Sequence, residues 1–247
     1  MFRKTIPSLC MNNTDLKKMY TLRFTDADNA RKNEIWKILV RDFFQKFVGT
    51  GQTVIDAACG HGEFINNISA QRKIAVDLNE DAATFLSNEV EFRHGDAISV
   101  LADLPDTADV VFTSNFLEHL PDKKTLNTFL DSVMNCLKAD GKYIVLGPNL
   151  RYLPGQYWDF YDHELGLTHL SLVEALQLKN FSVSCCIDKF LPYTTKSKLP
   201  SHPLLVKAYL MVPPAWKILG RQFFIVAEKQ PLQHTLLARN GRELLCI

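Results

Sequence analysis

Two acidic residues and two glycines around residue 60 are the strongest sign of chemistry in this chain. The run Val54-Ile-Asp-Ala-Ala-Cys-Gly-His-Gly-Glu-Phe-Ile65 has the pattern of a buried strand that passes through Asp56 into a turn with Gly60 and Gly62. Such glycines let the backbone approach a ligand closely beyond the carboxyl end of a strand. Asp77 closes the next apolar segment, about 20 residues on, where a carboxylate can bind a ribose hydroxyl pair. The spacing predicts a nucleoside site; the alternatives are a turn without a ligand and a helix cap.

The position of Asp56 indicates which nucleoside would bind. A carboxylate directly before the turn would repel the pyrophosphate of a dinucleotide. S-adenosylmethionine has no phosphate and carries a sulfonium and an ammonium group. The dinucleotide pattern G-x-G-x-x-G also fails at its third glycine, which is Ile65 here, and no G-x-x-x-x-G-K-[ST] occurs. We therefore predict S-adenosylmethionine as the cofactor, with a nicotinamide enzyme as the less favoured alternative.

These residues require a sheet whose strands end at a common edge. Unalternated Val- and Ile-rich segments separated by helical patterns are typical of a parallel sheet covered on both faces, and they predict a doubly wound α/β fold. The predicted strands are 53–59, 73–77, 90–93, 109–115, 141–147, 181–187 and 222–228, and the predicted helices are 26–48, 63–70, 81–88, 123–137 and 171–179.

Four segments resemble, in order, the motifs of class I S-adenosylmethionine-dependent methyltransferases: 56–64, Asp77, His94-Gly-Asp96 and Asn115-Phe-Leu-Glu-His-Leu120. The resemblance runs from about residue 52 to 147. It implies a Rossmann-like, doubly wound sheet of seven strands, mostly parallel with an antiparallel last strand, in the order 3-2-1-4-5-7-6 and with helices on both faces. One position departs from the family pattern D-x-G-x-G-x-G, because Ala58 replaces the first glycine and its methyl group narrows the turn. A non-catalytic, methyltransferase-like binding subunit therefore stays open as an alternative.

The same resemblance implies where the cofactor would lie. The methionine part would contact the turn after the first strand, and the ribose would contact the acid after the second. The acid after the third strand would lie by the adenine amine. The end of the fourth strand would line the opening through which the acceptor reaches the methyl group. The cofactor-binding residues expected on this basis are Asp56, Ala58, Gly60, Gly62, Asp77, Leu78, Asp96, Ala97, Asn115 and Phe116.

The segment 149–169 is the predicted acceptor side. It mixes tyrosine and tryptophan with aspartate and histidine, and it resembles uncharacterised methyltransferases among bacterial polysaccharide and sugar-modification enzymes. Aromatic rings stack on the apolar faces of sugars, while carboxylates and imidazoles bind hydroxyl groups. We predict a small polar acceptor, with a hydroxyl of a sugar or sugar nucleotide favoured. A lipid-linked or natural-product hydroxyl is the alternative.

Methyl transfer to a hydroxyl also requires a group that accepts its proton, and histidine suits this near neutral pH. His163 is the first candidate, followed by His119 and His169. His119 could instead orient the loop after the fourth strand, and His169 could instead cap the next helix. No metal is expected. Asp159 and Asp162 could form a metal site with His163 and His169, but their spacing fits no metal template and this type of transfer needs no Lewis acid.

Composition limits the partners that can be expected. The chain has 28 Lys and Arg residues against 27 Asp and Glu residues, a net charge of +1, so it has no overall attraction for nucleic acid. Six scattered cysteines match no metal pattern and are expected to be reduced thiols. No apolar run is long enough for a membrane span. We expect a cytoplasmic protein acting on a small molecule, without a nucleic-acid partner.

One methyltransferase domain is expected over residues 49–230, after a helical cover at 1–48 and before a tail at 231–247. Within it, the insert 193–220 is rich in apolar residues and contains Pro213-Pro214, which would break a long helix lying in a membrane interface. A lid over the site is therefore predicted in preference to a membrane-surface or partner-binding helix pair.

Overall fold

A seven-stranded mixed sheet forms the centre of the protein. The computed structural model describes residues 26–193 and 203–230. The strands are β1 (Thr53–Ala57), β2 (Arg72–Asp77), β3 (Val90–His94), β4 (Ala108–Ser114), β5 (Leu137–Pro148), β6 (Phe181–Ile187) and β7 (Gln222–Lys229). Their order is β3-β2-β1-β4-β5-β7-β6, which confirms the predicted order. The first five strands pair in parallel, and β7 lies antiparallel between β5 and β6.

Helices and single helical turns connect the strands. In the described residues the α-helices are α1 (Asp26–Asp42), α2 (Ala97–Ala102), α3 (Lys123–Cys136), α4 (His169–Leu178), α5 (Pro203–Met211) and α6 (Pro213–Leu219). The 3-10 helices are Phe44–Phe47, Glu80–Phe85, Leu117–His119, Leu150–Tyr152 and Gln156–Asp159. Pro213 starts a new helix directly after α5 ends, as expected for a residue that fits the first turn but not the interior of a helix.

Three predicted helices are corrected. The segment 63–70 forms turns, because the Asn67 side chain donates to the carbonyl of Glu63 and so competes with a regular helix, while the Asn66 side chain donates to Phe85 in another segment. The segment 81–88 is the 3-10 helix Glu80–Phe85. The helix predicted at 26–48 ends at Asp42 and is followed by the 3-10 helix Phe44–Phe47.

Two apolar clusters cover the two faces of the sheet. On one face α2, α3 and α4 pack on the strands, with Phe129 and Leu130 fully buried. The other face is rich in aromatic residues contributed by α1 and the segments beside it. There Phe64 stacks on Phe112 of β4 with ring centroids 3.7 Å apart, and Phe43 stacks on Phe190 at 4.1 Å. Trp36 of α1 lies edge-on to Phe112 with ring centroids 6.3 Å apart, which holds α1 against the sheet.

The helices α5 and α6 pack beside α1. Trp216 of α6 lies edge-on to Phe43 and Phe190, with centroid distances of 5.9 and 5.2 Å. Residues 1–25, 194–202 and 231–247, which include most of the predicted cover, part of the insert and the whole predicted tail, lie outside the described residues. In the described ranges, every helix is too short or too polar to cross a bilayer.

Candidate active site

The parallel strands β1 to β4 bring their carboxyl ends to the same edge of the sheet. Asp56 of β1 lies opposite Ala75 of β2. The N–H of Cys59, in the turn after β1, donates to the carbonyl of Val76 at 2.9 Å. The turn is therefore attached to the neighbouring strand, at the edge where ligands bind in folds of this kind.

Asp77 joins the ends of β1 and β2 through its side chain. One carboxylate oxygen accepts from the N–H of Gly60 and the other from the N–H of Asn79, both at 2.8 Å. Each oxygen keeps a second lone pair, so the carboxylate can still accept from a ribose hydroxyl. Asp77 does not cap the following helix, because the Asn79 side chain does so by accepting from Asp81. Leu78, the residue after Asp77, accepts at its carbonyl from the His94 ring, with the nitrogen 3.1 Å away.

The turn after β1 contains three residues with left-handed backbone: Ala58 (φ 65°), Gly60 (φ 56°) and Gly62 (φ 72°). At Gly62 an added Cβ would come within 2.5 Å of a terminal methyl of Leu86, which would have to move, and the left-handed conformation also favours glycine. At Gly60 a Cβ would meet open space, and only the conformation favours glycine. Ala58 adopts the same conformation with a Cβ, which costs about 1–2 kcal/mol.

Three carboxyl groups converge beside this turn. Asp56 is only 3% exposed, and burial raises its pKa well above the ordinary value, with further increases from the charges of Glu63 and Asp77. The N–H of Ile65 donates to Asp56 and acts in the opposite direction. Glu63 is buried and pairs with Lys32 at 2.8 Å. Glu63 was not among the predicted site residues, although it lies within the same motif as an acid after the second glycine.

This arrangement fits S-adenosylmethionine by charge. Burying several carboxylates together is unfavourable, and a cationic ligand beside them relieves that repulsion. A sulfonium and an ammonium group provide such charge, whereas a pyrophosphate would add to the negative charge. The burial of Asp56 and its closeness to Asp77 therefore match the positive charge of S-adenosylmethionine, as expected from the sequence.

The residues after β3 begin a helix that the sequence did not predict. Asp96 caps α2, with its two oxygens accepting from the N–H groups of Ile98 (3.0 Å) and Ser99 (3.3 Å). Ala97 is the first residue of this helix and is buried. The acid at 96, followed by an apolar run, is the signal that could have identified the cap. Its proposed contact with adenine is compatible with this role because a carboxylate has about four acceptor sites.

Asn115 and Phe116 follow β4 at the same edge. Asn115 is exposed and left-handed (φ 49°), and its N–H donates to the carbonyl of Leu146 in β5 at 2.9 Å. Phe116 packs edge-on to Phe129 of α3 with centroids 5.2 Å apart. Asn115 therefore presents a polar side chain beside the end of β4, whereas the ring of Phe116 packs in part against the core residue Phe129.

Two of the three predicted catalytic histidines lie together. The rings of His119 and His163 have centroids 5.2 Å apart. Nδ1 of His119 lies 2.9 Å from the carbonyl of Asp162 and 3.2 Å from its carboxylate. Tyr157 and Phe160 also contact the His163 ring, at centroid distances of 4.8 and 5.0 Å. The loop after β4 and the aromatic segment thus meet at these histidines.

Glu118 completes this group and was missed by the sequence analysis. It is 3% exposed, and burial raises its pKa to about 7, with His119 lowering it and Asp162 raising it. Its carbonyl accepts from the N–H groups of Glu164 (2.9 Å) and Leu165 (3.0 Å). The signal was an acid next to His119 in Asn115-Phe-Leu-Glu-His-Leu120, but its burial could not be inferred from a loop sequence.

His169 has a different set of partners. It is the first residue of α4, whose cap is Thr168 and not His169. Its Nδ1 lies 2.9 Å from the side-chain nitrogen of the buried Asn149, and burial lowers its pKa. Its ring stacks on Tyr152, whose hydroxyl donates to Asp188. These contacts favour a structural role for His169.

The four residues that the sequence offered as possible metal ligands, Asp159, Asp162, His163 and His169, do not form one group. Among the described residues, the one group of three or more potential ligands consists of Glu118, His119 and His163. Asp159 and His169 are not part of it, and Asp159 is exposed.

Known proteins match this chain in sequence and in fold. Residues 55–145 match a family model described as a methyltransferase domain. A solved S-adenosylmethionine-dependent methyltransferase from Archaeoglobus fulgidus is 22% identical, with a TM-score of 0.59 and coverage of 87% of this chain and 99% of that one.

Two further solved structures are similar at lower identity. A putative S-adenosylmethionine-dependent methyltransferase from Listeria monocytogenes is 17% identical (TM-score 0.55; 79% and 99% covered). A possible histamine N-methyltransferase from Thermotoga maritima is 13% identical (TM-score 0.57; 88% and 95% covered). At these identities the structural likeness establishes the fold.

Proposed function

We propose that this chain, whose residues 55–145 match a methyltransferase domain, is a class I S-adenosylmethionine-dependent methyltransferase that transfers a methyl group to a hydroxyl of a small polar acceptor, namely a sugar or sugar nucleotide. One observation carries the proposal: the carboxyl groups of Asp56, Glu63 and Asp77 converge beside a left-handed turn at the edge of the sheet. Their charge favours a cationic nucleoside over a phosphorylated one.

S-adenosylmethionine supplies an electrophilic methyl group on its sulfonium. The turn after β1 would hold the methionine part through Asp56, Ala58, Gly60 and Gly62. The remaining contacts would come from Asp77 and Leu78 for the ribose, Asp96 and Ala97 for the adenine, and Asn115 and Phe116 beside the methyl group. Most of the rate is expected from alignment of the acceptor and exclusion of water, since the transfer is an in-line displacement.

The acceptor is proposed to lie against the segment 149–169. Trp158 and Tyr161 expose 51% and 88% of their surface there, which leaves aromatic faces for a sugar ring. His163 stays the first candidate to accept the hydroxyl proton, because it lies in the group with Glu118 and His119. His169 ranks last, because Asn149 occupies its Nδ1.

Two observations support alternatives. Leu204, Met211 and Ile218 of α5 and α6 are about 70% exposed, which favours a lipid-linked acceptor, and retention on liposomes would support that version. The strained Ala58 favours a methyltransferase-like binding subunit.

Calorimetry and a transfer assay test the proposal. We expect S-adenosylhomocysteine to bind more tightly than NAD, and radiolabelled methyl from S-adenosylmethionine to appear on at least one member of a nucleotide-sugar panel. Tighter binding of NAD would overturn the cofactor assignment. Binding without transfer to sugars, combined with transfer to lipid-linked or natural-product hydroxyls, would overturn the acceptor alone. No heat at millimolar S-adenosylhomocysteine would favour the binding-subunit alternative.

A further inference from the structure

The group formed by Glu118, His119 and His163 has the composition of a cation site. One carboxylate oxygen and one nitrogen from each ring lie within 4.8 Å of one another. Glu118 and His163 are buried, and His119 is partly exposed. Two imidazoles and one carboxylate bind divalent transition metals in proteins, and three protein ligands leave coordination positions open.

We propose that Glu118, His119 and His163 bind one divalent transition-metal cation of the Zn²⁺ or Co²⁺ type. Mg²⁺ is expected to bind far more weakly, because it prefers oxygen ligands and retains its water. The site differs from the one considered from sequence spacing, since Glu118 and His119 replace Asp159, Asp162 and His169.

The orientation of His119 supports this assignment. Its Nδ1 faces the carbonyl and the carboxylate of Asp162, at 2.9 and 3.2 Å. Both are acceptors, so the ring carries its proton on Nδ1 and presents the lone pair of Nε2. A carboxylate that holds the second nitrogen of a histidine in this way is the usual support of a metal-bound imidazole.

The backbone holds the ligands on a fixed frame. His119 and Glu118 lie on the 3-10 helix Leu117–His119, and the carbonyl of Glu118 accepts from Glu164 and Leu165. These bonds join the helix to the residues directly after His163. The ligands from the two segments are therefore held near each other before any cation binds, which lowers the entropic cost of binding.

The charge of Glu118 also favours a cation. In the part of the chain that the structure describes, no lysine or arginine forms an ion pair with this buried carboxylate. Glu118 is only 3% exposed, so water compensates little of this charge. A bound cation would compensate the buried charge directly.

One consequence rests on the proposed function. With a cation bound, the lone pair of His163 is used for the metal, so the role of proton acceptor proposed above for His163 applies only to the cation-free protein. An acceptor hydroxyl at an open coordination position would instead have its pKa lowered by the cation, and its proton would pass to water. Cation binding itself is measured without acceptor or cofactor, so its failure and the failure of the proposed function are separate results.

Metal binding by the full chain tests the proposal. Protein stripped with a chelator and kept with a non-thiol reductant is titrated with ZnCl₂, CoCl₂ and MgCl₂ in a calorimeter. We expect one equivalent of Zn²⁺ or Co²⁺ to bind. Glu118→Gln and His163→Gln should each weaken binding at least about tenfold, the loss typical of a removed ligand or its partner. Asp159→Asn, in the same segment but outside the group, should bind like wild type.

The Co²⁺ spectrum of wild-type protein provides a measurement that does not depend on the folding of variants. Nitrogen and oxygen ligands give visible d–d bands without the intense near-ultraviolet bands of thiolate ligands. Thiolate bands would place the cation on cysteine and overturn the proposal. Absence of Zn²⁺ and Co²⁺ binding by wild type, or equal binding by Glu118→Gln, His163→Gln and wild type, would overturn it as well.

Discussion

At the scale of single residues, the proposed cofactor site is made of carboxylates whose burial is costly without a ligand. Asp77 contributes most directly, because its two oxygens hold the turn and face the place proposed for the ribose. We expect Asp77→Ala to weaken S-adenosylhomocysteine binding by about 1–3 kcal/mol, the cost of leaving buried polar groups unpaired. Calorimetry measures this loss. The control is Asp131→Ala, an exposed residue of α3 paired with Lys179, and equal binding losses in both variants would contradict a role for Asp77.

Asp56 should oppose folding of the cofactor-free protein as pH rises. Burial raises its folded-state pKa above that of the unfolded chain, so the folded state holds an extra proton between the two values. Stability then falls as pH rises through that window, beginning near the ordinary aspartate pKa of about 4. An asparagine side chain at this position has no such proton to lose. The free energy of unfolding of Asp56→Asn should therefore increase relative to that of wild type as the pH is raised from 4.5 to 7.5.

Urea unfolding at the two pH values measures this difference, with Asp131→Asn as the exposed control. The same Asp56→Asn variant should bind S-adenosylhomocysteine about tenfold to a hundredfold more weakly, since hydrogen bonds to charged groups contribute about 1.5–3 kcal/mol. If the free energy of unfolding changed by the same amount between the two pH values in Asp56→Asn and in wild type, the raised pKa of Asp56 would be contradicted.

Replacing Ala58 with glycine should stabilise the protein, whereas most substitutions by glycine destabilise. Its left-handed φ of 65° favours glycine. The strain relieved by Ala58→Gly, about 1–2 kcal/mol, exceeds the entropic cost of glycine, about 0.5–1 kcal/mol. We expect a net gain of about 1 kcal/mol in the free energy of unfolding. Ala83→Gly, at an exposed residue of ordinary φ, should instead lose about 0.5–1 kcal/mol, and a loss in both variants would refute the strain argument.

The sequence located the residues of the proposed cofactor edge better than those of the proposed acceptor side. Asp56, Gly60, Gly62 and Asp77 occupy fixed places after strands, so their types and spacing locate them. Glu118 could not be found in this way, because its importance comes from burial by a segment more than 40 residues later in the chain.

At the scale of elements, α4 depends on a cap that the sequence analysis did not name. Thr168 accepts from Ser171, and the Ser171 side chain accepts from the N–H of Thr168. Thr168→Ala should cost about 1 kcal/mol, as is usual for loss of such a cap. Thr128→Ala, in the exposed middle of α3, should change stability by less than about 0.5 kcal/mol. Thermal or urea unfolding compares the two, and equal effects would argue against the cap.

Strands were predicted more reliably than the connections between them. Buried parallel strands read as continuous apolar runs, so β1, β2 and β4 were located within two residues of their ends. The helix predicted at 63–70 was wrong because the Asn67 side chain bonds to the local carbonyl of Glu63 and the Asn66 side chain bonds to Phe85 in another segment, and hydrophobic periodicity reveals neither bond. The short α2 was missed because six residues give too little periodicity to recognise.

At the scale of the whole molecule, the sheet order separates two tasks. The ends of β1, β2 and β3 carry the proposed cofactor contacts, and the end of β4 with the segment before α4 carries the proposed acceptor contacts. Both rest on a core in which α1 and the aromatic face are packed on one side and α2 to α4 on the other. A ligand at the shared edge therefore contacts loops from several strands and should stabilise the folded chain as a unit.

This gives a prediction for the thermal unfolding of the intact protein. A ligand at about 100 times its dissociation constant stabilises the folded state by about 2.7 kcal/mol. For a chain of this size, each kcal/mol raises Tm by about 2–4 °C, so S-adenosylhomocysteine should raise Tm by roughly 5–10 °C. NAD at the same concentration should leave Tm unchanged, because the carboxylates of Asp56 and Glu63 would repel its pyrophosphate. Asp77→Ala, measured against its own ligand-free Tm, should lose between about one third and nine tenths of the shift, given the expected loss of about 1–3 kcal/mol in affinity. A larger shift with NAD than with S-adenosylhomocysteine would mean that the carboxylates at the edge of the sheet do not select a cation, and the assignment of the site would have to be abandoned.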